Sequence, residues 1–121
     1  MRTRPDVTRQ IDFPSGSVTV DEAGYLIDPK DWTRDFAQQI AQQEEIPLSD
    51  LHWDILDFMR AYHDEHGIAA DARFALEFLG LQYGLDRGGA KKMLFELFPY
   101  GYVKQACKMA GMRQPRAWST G

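Results

Sequence analysis

Pro47-Leu48-Ser49-Asp50-Leu51-His52-Trp53-Asp54-Ile55-Leu56-Asp57-Phe58-Met59-Arg60-Ala61-Tyr62-His63-Asp64-Glu65-His66-Gly67 is a helix written out with both of its ends. Ser49, after a proline, supplies an N-cap oxygen for amides that a first turn leaves unpaired, and Gly67 is the kind of residue on which helices stop. Between them Leu51, Ile55, Phe58, Met59 and Tyr62 recur at the three- and four-residue spacing of one apolar face. That face must be buried against other elements, so the chain is predicted to build a helical bundle around it.

Toward the C-terminus, Asp71 can cap a helix whose Phe74, Phe78 and Leu81 share a face and which ends around Gly84. A further helix is predicted from about Gly89 to Phe98, where Pro99 stops it, and a short one over residues 102–112. Beyond Gly111 and Pro115 the tail Arg116-Ala117-Trp118-Ser119-Thr120-Gly121 has no periodic apolar face and is expected to be a mobile arm. Toward the N-terminus, Asp28-Pro29 reads as an N-cap with proline at the first helical position, followed by Trp32, Phe36 and Ile40 as one stripe. Residues 8–13 and 17–20 carry β-branched side chains around Pro14-Ser15-Gly16, the pattern of a small hairpin, and Tyr25-Leu26-Ile27 is a candidate third strand. The predicted fold is α+β, mostly α: an N-terminal β-hairpin packed on an orthogonal bundle of about five helices, with residues 1–112 as one domain and 113–121 as a flexible C-terminal arm.

Composition agrees with one self-sufficient core: 121 residues, 44% hydrophobic and 12% aromatic. No run approaches the roughly 20 apolar residues of a membrane span, and the start lacks the apolar stretch of a secretory signal, which predicts a cytoplasmic protein without membrane contact. The net charge of -4 is unevenly spread. Residues 21–66 set twelve acidic side chains against Lys30, Arg34 and Arg60, whereas residues 87–121 set Arg87, Lys91, Lys92, Lys104, Lys108, Arg113 and Arg116 against Glu96 alone. The cationic C-terminal third either recruits an anionic partner or is an ordinary solvated surface.

Cys107 is the only cysteine, so no disulfide closes within the chain. Lys104 and Lys108 flank it, and nearby cations favour the nucleophilic thiolate, which predicts a partly accessible, reactive thiol. The opposite reading is a small buried hydrophobe near the negative end of a helix dipole. His63 and His66 fall at i and i+3 but lack the further ligands zinc needs, and are read as a solvated helix end; His52 is read as a side chain at the rim of the core. No metal site or cofactor is predicted: Leu85-Asp86-Arg87-Gly88-Gly89 lacks the spacing of a phosphate loop. Gly80, Gly84, Gly88 and Gly89 before Lys91-Lys92 suit a turn between packed helices better than a helix-turn-helix entering DNA.

The run Leu97-Phe98-Pro99-Tyr100-Gly101-Tyr102-Val103-Lys104-Gln105-Ala106-Cys107-Lys108-Met109-Ala110-Gly111 resembles the signature of the DsrC/TusE family, in which it precedes an arm ending in Thr-Gly-Cys-Val. Val20-Asp21-Glu22-Ala23-Gly24-Tyr25-Leu26, Asp31-Trp32, His52-Trp53-Asp54-Ile55-Leu56-Asp57-Phe58 and Gly67-Ile68-Ala69 with Arg73 resemble that family in the same order, so the likeness spans nearly the whole chain. The resemblance implies a mostly helical domain with no catalytic site of its own. DsrC proteins are sulfur carriers and substrates working with a sulfite reductase, and TusE accepts persulfide sulfur on the way to 2-thiolation of transfer-RNA wobble uridine; although called sulfurtransferases, they act as carriers. The family's penultimate cysteine carries the sulfur and the upstream one, matched here by Cys107, can join it in a disulfide or trisulfide. In this sequence Thr120-Gly121 is followed by no Cys-Val, which reads either as a chain cut short or as a divergent paralogue with a regulatory role.

The resemblance therefore implies a sulfur-relay accessory protein, and the chain is expected to be a monomer. Cys107 is its candidate thiol, and Lys104, Lys108, Arg113, Arg116 and Trp118 are its candidate contacts to sulfite reductase or sulfur-transfer proteins. The rival readings are a DNA-binding regulator of sulfur metabolism and an interaction module with an inert Cys107.

Overall fold

The computed structural model describes residues 8–14 and 16–113. Its elements are the strands β1 (Thr8–Phe13) and β2 (Gly16–Asp21), a single 3-10 turn at Pro29–Asp31, the helices α1 (Arg34–Gln43), α2 (Asp50–His66), α3 (Ala72–Tyr83) and α4 (Arg87–Leu97), and a π-helix at Tyr102–Cys107. The predicted hairpin and helical bundle are both present, and of the predicted arm 113–121 only Arg113 is among the described residues.

The hairpin pairs Thr8 with Asp21 and Ile11 with Val18. The expected third strand is reduced to one bridge, Val20 to Leu26. The physical reason is Asp21, whose carboxylate accepts from the amides of Ala23 and Tyr25 and folds the chain into a tight turn, leaving too short a return to form a ladder.

Helix starts follow the caps, with two displacements. Asp28 caps only the 3-10 turn, accepting from the Lys30 amide. Trp32 is then extended, and Thr33 caps α1 by accepting from the Phe36 amide. Trp32 thus stands before the helix while Phe36 and Ile40 lie buried within it. The α2 ends are those read from Ser49 and Gly67, the latter left-handed at φ 74°. The α3 helix runs from its Asp71 cap to Gly84, and α4 starts two residues earlier than read, because Asp86 caps it by accepting from the Gly89 amide at 2.7 Å.

The core gathers Val20, Tyr25 and Leu26 below the hairpin, Phe36 and Ile40 of α1, Ile55, Leu56 and Met59 of α2, Leu79 of α3, and Leu94 and Leu97 of α4. The predicted inner face of α3 needs correction. Ala75 and Leu79 are the buried residues, whereas Phe74 and Leu81 are exposed, Leu81 at 81%. Small Ala75 lets α3 approach closely on that side, and its aromatic residues instead lie along the flank of α2, Phe78 stacked on Phe58 with ring centroids 4.6 Å apart and Phe74 on Tyr62 at 5.3 Å. Among the described residues no helix is long and apolar enough to cross a membrane.

Candidate functional site

After α4 the chain cannot continue as a helix through Pro99, and it re-enters helical geometry at Gly101, whose φ of 108° suits glycine. The predicted α-helix over residues 102–112 begins as a π-helix, with six residues in the wider i→i+5 pattern, before closing in an α-turn. Buried side chains hold this wide turn in place. Gln105 accepts from the Tyr100 amide at 2.9 Å and donates to Glu44 at 3.0 Å. Tyr102 donates to the carbonyl of Ala70 at 2.7 Å, and Tyr25 to that of Val103 at 3.1 Å. Burial, with the neighbouring Cys107 adding to it, raises the Tyr25 hydroxyl to about 12.

Cys107 sits at the centre of this segment with none of its surface exposed. The expected accessible thiolate is therefore corrected: burial pushes the thiol well above its ordinary range and keeps it protonated at neutral pH. The flanking cations do not offset this. Lys104 is exposed, because in a turn wider than an α-helix a residue three positions away no longer shares a face. Lys108 reaches instead over the Tyr25 ring, 5.3 Å from its centroid.

The segment ends in a full accounting of its carbonyls. The amide of Met112 donates to Cys107 and that of Gly111 to Lys108, the paired bonds of a Schellman turn with Gly111 left-handed at φ 77°. The next two carbonyls are taken by side chains from distant elements: the Trp32 indole donates to Met109 at 2.8 Å, and Arg60 of α2 donates to Ala110 at 3.1 Å. The Arg60 guanidinium also lies 4.7 Å from the centroid of the Trp32 ring. Burial lowers the Arg60 pKa, an effect that Asp64 opposes. Arg113 then donates to the carbonyl of Ile27 at 2.9 Å.

Of the candidate site residues, Lys104, Cys107, Lys108 and Arg113 lie along this one segment, whereas Arg116 and Trp118 lie outside the described residues. Sequence reasoning missed Trp32, Arg60 and Gln105. The one available signal was Arg60, a lone cation between the buried Leu56 and Met59 side and the acidic run of α2. His52 is also more than a rim side chain. It is buried; its Nδ1 accepts from the Ser49 amide at 3.0 Å, so Nε2 carries the proton and donates to the Leu97 carbonyl at 2.9 Å. His63 and His66 end α2, His66 beside Glu65 and 4.3 Å from the Tyr62 ring, and among the described residues no group of three His, Cys, Asp or Glu could hold a metal.

On the other side of α3, a groove of about 500 Å³ runs to the start of α4, lined by Phe74, Leu81 and Leu85 together with Arg73, Arg87, Glu77 and Asp86. Its two arginines are matched by two carboxylates, and Arg73 is already paired with Asp71, so the groove presents no net cationic surface to phosphate and gives the helix-turn-helix reading no support.

The chain matches the family model described as DsrC like protein over residues 13–117. It is 34% identical over 105 residues to sulfurtransferase TusE of Sodalis glossinidius, an alignment covering 87% of this chain and 96% of that one. Its fold superposes on the NMR structure of DsrC from Allochromatium vinosum with a TM-score of 0.80 and 36% identity, covering 93% and 99% of the two chains. The oxidized gamma-subunit of dissimilatory sulfite reductase (DsrC) from Archaeoglobus fulgidus follows at a TM-score of 0.77 and 25% identity, covering 91% and 99%. With the family model matched over residues 13–117 and the fold superposed over 93% of its length, the chain belongs to the DsrC-like protein family.

Proposed function

We propose that this protein is a sulfur-relay accessory protein that works through binding to sulfur-transfer or sulfite-reductase-type proteins and turns over no substrate alone. The observation that carries the reading is the segment of residues 97–113. Its signature residues fold as one unit around Cys107, in a chain 34% identical to a TusE sulfurtransferase. In this reading residues 1–112 act as a domain and 113–121 as an arm, in a cytoplasmic monomer. Exposed Lys104, half-buried Lys108 and exposed Arg113 lie on the same stretch of chain and, with Arg116 and Trp118 beyond, offer cations and an aromatic anchor to an acidic partner surface.

Cys107 is the relay thiol of this reading. Enclosed and protonated in the closed fold, the thiol reacts only once its turn opens to solvent and its proton passes to water. The exposed thiolate then attacks the outer sulfur of a partner's persulfide, the partner's sulfur–sulfur bond breaks, the partner's thiolate leaves, and Cys107 holds the new persulfide. Incubation of the full chain with a persulfide-loaded sulfurtransferase, followed by intact-mass analysis, tests this. A gain of one sulfur atom that Cys107→Ser abolishes is the expected result, with binding weakened by added salt. Absence of both complex and mass gain overturns the reading, and salt-sensitive binding to duplex DNA in their place would transfer the function to the rival regulator.

A further inference from the structure

We propose that Trp32 and Arg60 are positioning residues that latch the Cys107 turn, so that the thiol is reached by local release of this turn and not by unfolding of the domain. The proposal rests on the relay reading of Cys107 for its purpose, and on geometry alone for its mechanism.

A helix end leaves carbonyls that need partners. Here the turn's own amides satisfy Cys107 and Lys108, and the two that remain, Met109 and Ala110, are held by side chains 77 and 50 residues away in sequence. Both donors sit at the edge of the core. Trp32 lies in the extended link before α1 and is half-buried, as is Arg60. Withdrawing them frees the carbonyl end of the last turn, and its release carries Met109, Ala110 and Met112, buried in the same turn, away from Cys107. It also loosens the bond from Met112 to the Cys107 carbonyl, since the same turn makes it.

The latch is built to be reversible. Among the described residues Arg60 has no carboxylate within ion-pair distance, so release moves its guanidinium from a carbonyl and an indole face to water and leaves no buried anion behind. A cation at a helix C-terminus is also favoured by the dipole, which strengthens the closed state without a side-chain counterion. The Trp32 ring packs where a Gly111 side chain would stand, its Cδ1 only 2.5 Å from the ideal Cβ position, so it closes over the bare backbone of the turn. Opening of one such unit, separate from global unfolding, leaves the packing of helices α1 to α4 on one another in place.

With one cysteine in the chain, iodoacetamide labelling reads the opening directly. Labelling rates at neutral pH are compared with global stability from urea denaturation followed by far-ultraviolet circular dichroism. Arg60→Met keeps an apolar stem on Trp32 and loses the carbonyl bond. It should label about tenfold faster, equivalent to about 1.4 kcal/mol of opening free energy, with an equal loss of global stability because the bond is absent from the opened and the unfolded chain alike. Sub-denaturing urea should leave the labelling rate nearly unchanged, since a local opening exposes little surface. Arg60→Lys, which can still donate, should stay within about threefold of the parent. Trp32→Phe keeps the ring without the indole donor and serves as an independent variant should Arg60→Met fold poorly; it too should speed labelling with little dependence on sub-denaturing urea. If labelling of the parent and of every variant rises with urea as steeply as the global unfolding constant, the thiol is reached by global unfolding and the latch is overturned. Failure of persulfide transfer with labelling still governed by these two residues would remove the relay reading and leave the latch standing.

Discussion

The Nε2–H of His52 donates to the carbonyl of Leu97 at 2.9 Å, tying the first turn of α2 to the last residue of α4 across 45 positions of sequence. The opposite ring nitrogen accepts from the Ser49 amide, so only the neutral imidazole satisfies both partners. Burial lowers the His52 pKa, and the Leu97 bond offsets only part of this. The unfolded chain, with histidine near its ordinary 6.5, binds the proton more readily than the fold does. Stability from His52 is thus complete above about pH 6.5 and is lost as pH falls below it toward the folded value, at no more than about 1.4 kcal/mol per pH unit. Urea midpoints between pH 8 and 5 should show this decline, and His52→Gln should flatten it; an equally steep decline in the variant would assign it to other groups.

Gly111→Ala should destabilise the protein by about 1–3 kcal/mol, because it places a side chain at φ 77° and into the Trp32 ring. Thermal denaturation measures the loss. Indole fluorescence should shift as Trp32 is displaced, and an unchanged spectrum with parental stability would contradict the packing described.

The orientation of α3 is open to a paired test. Leu79→Ala removes a fully buried side chain and should cost about 2–5 kcal/mol, whereas Leu81→Ser, two residues on and exposed, should stay within about 0.5 kcal/mol. Denaturant titration of the two variants gives the comparison, and the reverse order would restore the face read from sequence.

Gln105→Met should cost about 1–3 kcal/mol, since it leaves the Tyr100 amide and the Glu44 carboxylate without their shared partner. Hydrogen exchange of the Tyr100 amide is the local measure. It should speed up more than amides of the α2 core, and uniform acceleration would show that Gln105 supports the whole domain instead of the π-turn.

Most helix ends were legible in the sequence because capping is a local matter. Ser49, Gly67, Asp71 and Gly84 act on amides and carbonyls within four residues of themselves, and all four stand where they were read. The displaced start of α1 shows the limit of that reasoning: Asp28 does cap a turn, but Thr33, five residues on, caps the helix, and two caps in succession look alike to a local reading. The long signature around Cys107 likewise sufficed to place the chain in its family.

What sequence alone determined is the set of elements, their caps, and the segment that carries the thiol. Tertiary structure alone decided which face of α3 is buried, that Cys107 is enclosed and protonated, and which residues hold its turn. The physical reason is range. Flanking lysines describe only the neighbourhood along the chain, and a π-turn rotates Lys104 away from the very cysteine it appears to serve, while the groups that satisfy Met109 and Ala110 arrive from Trp32 and Arg60 only after the helices have packed.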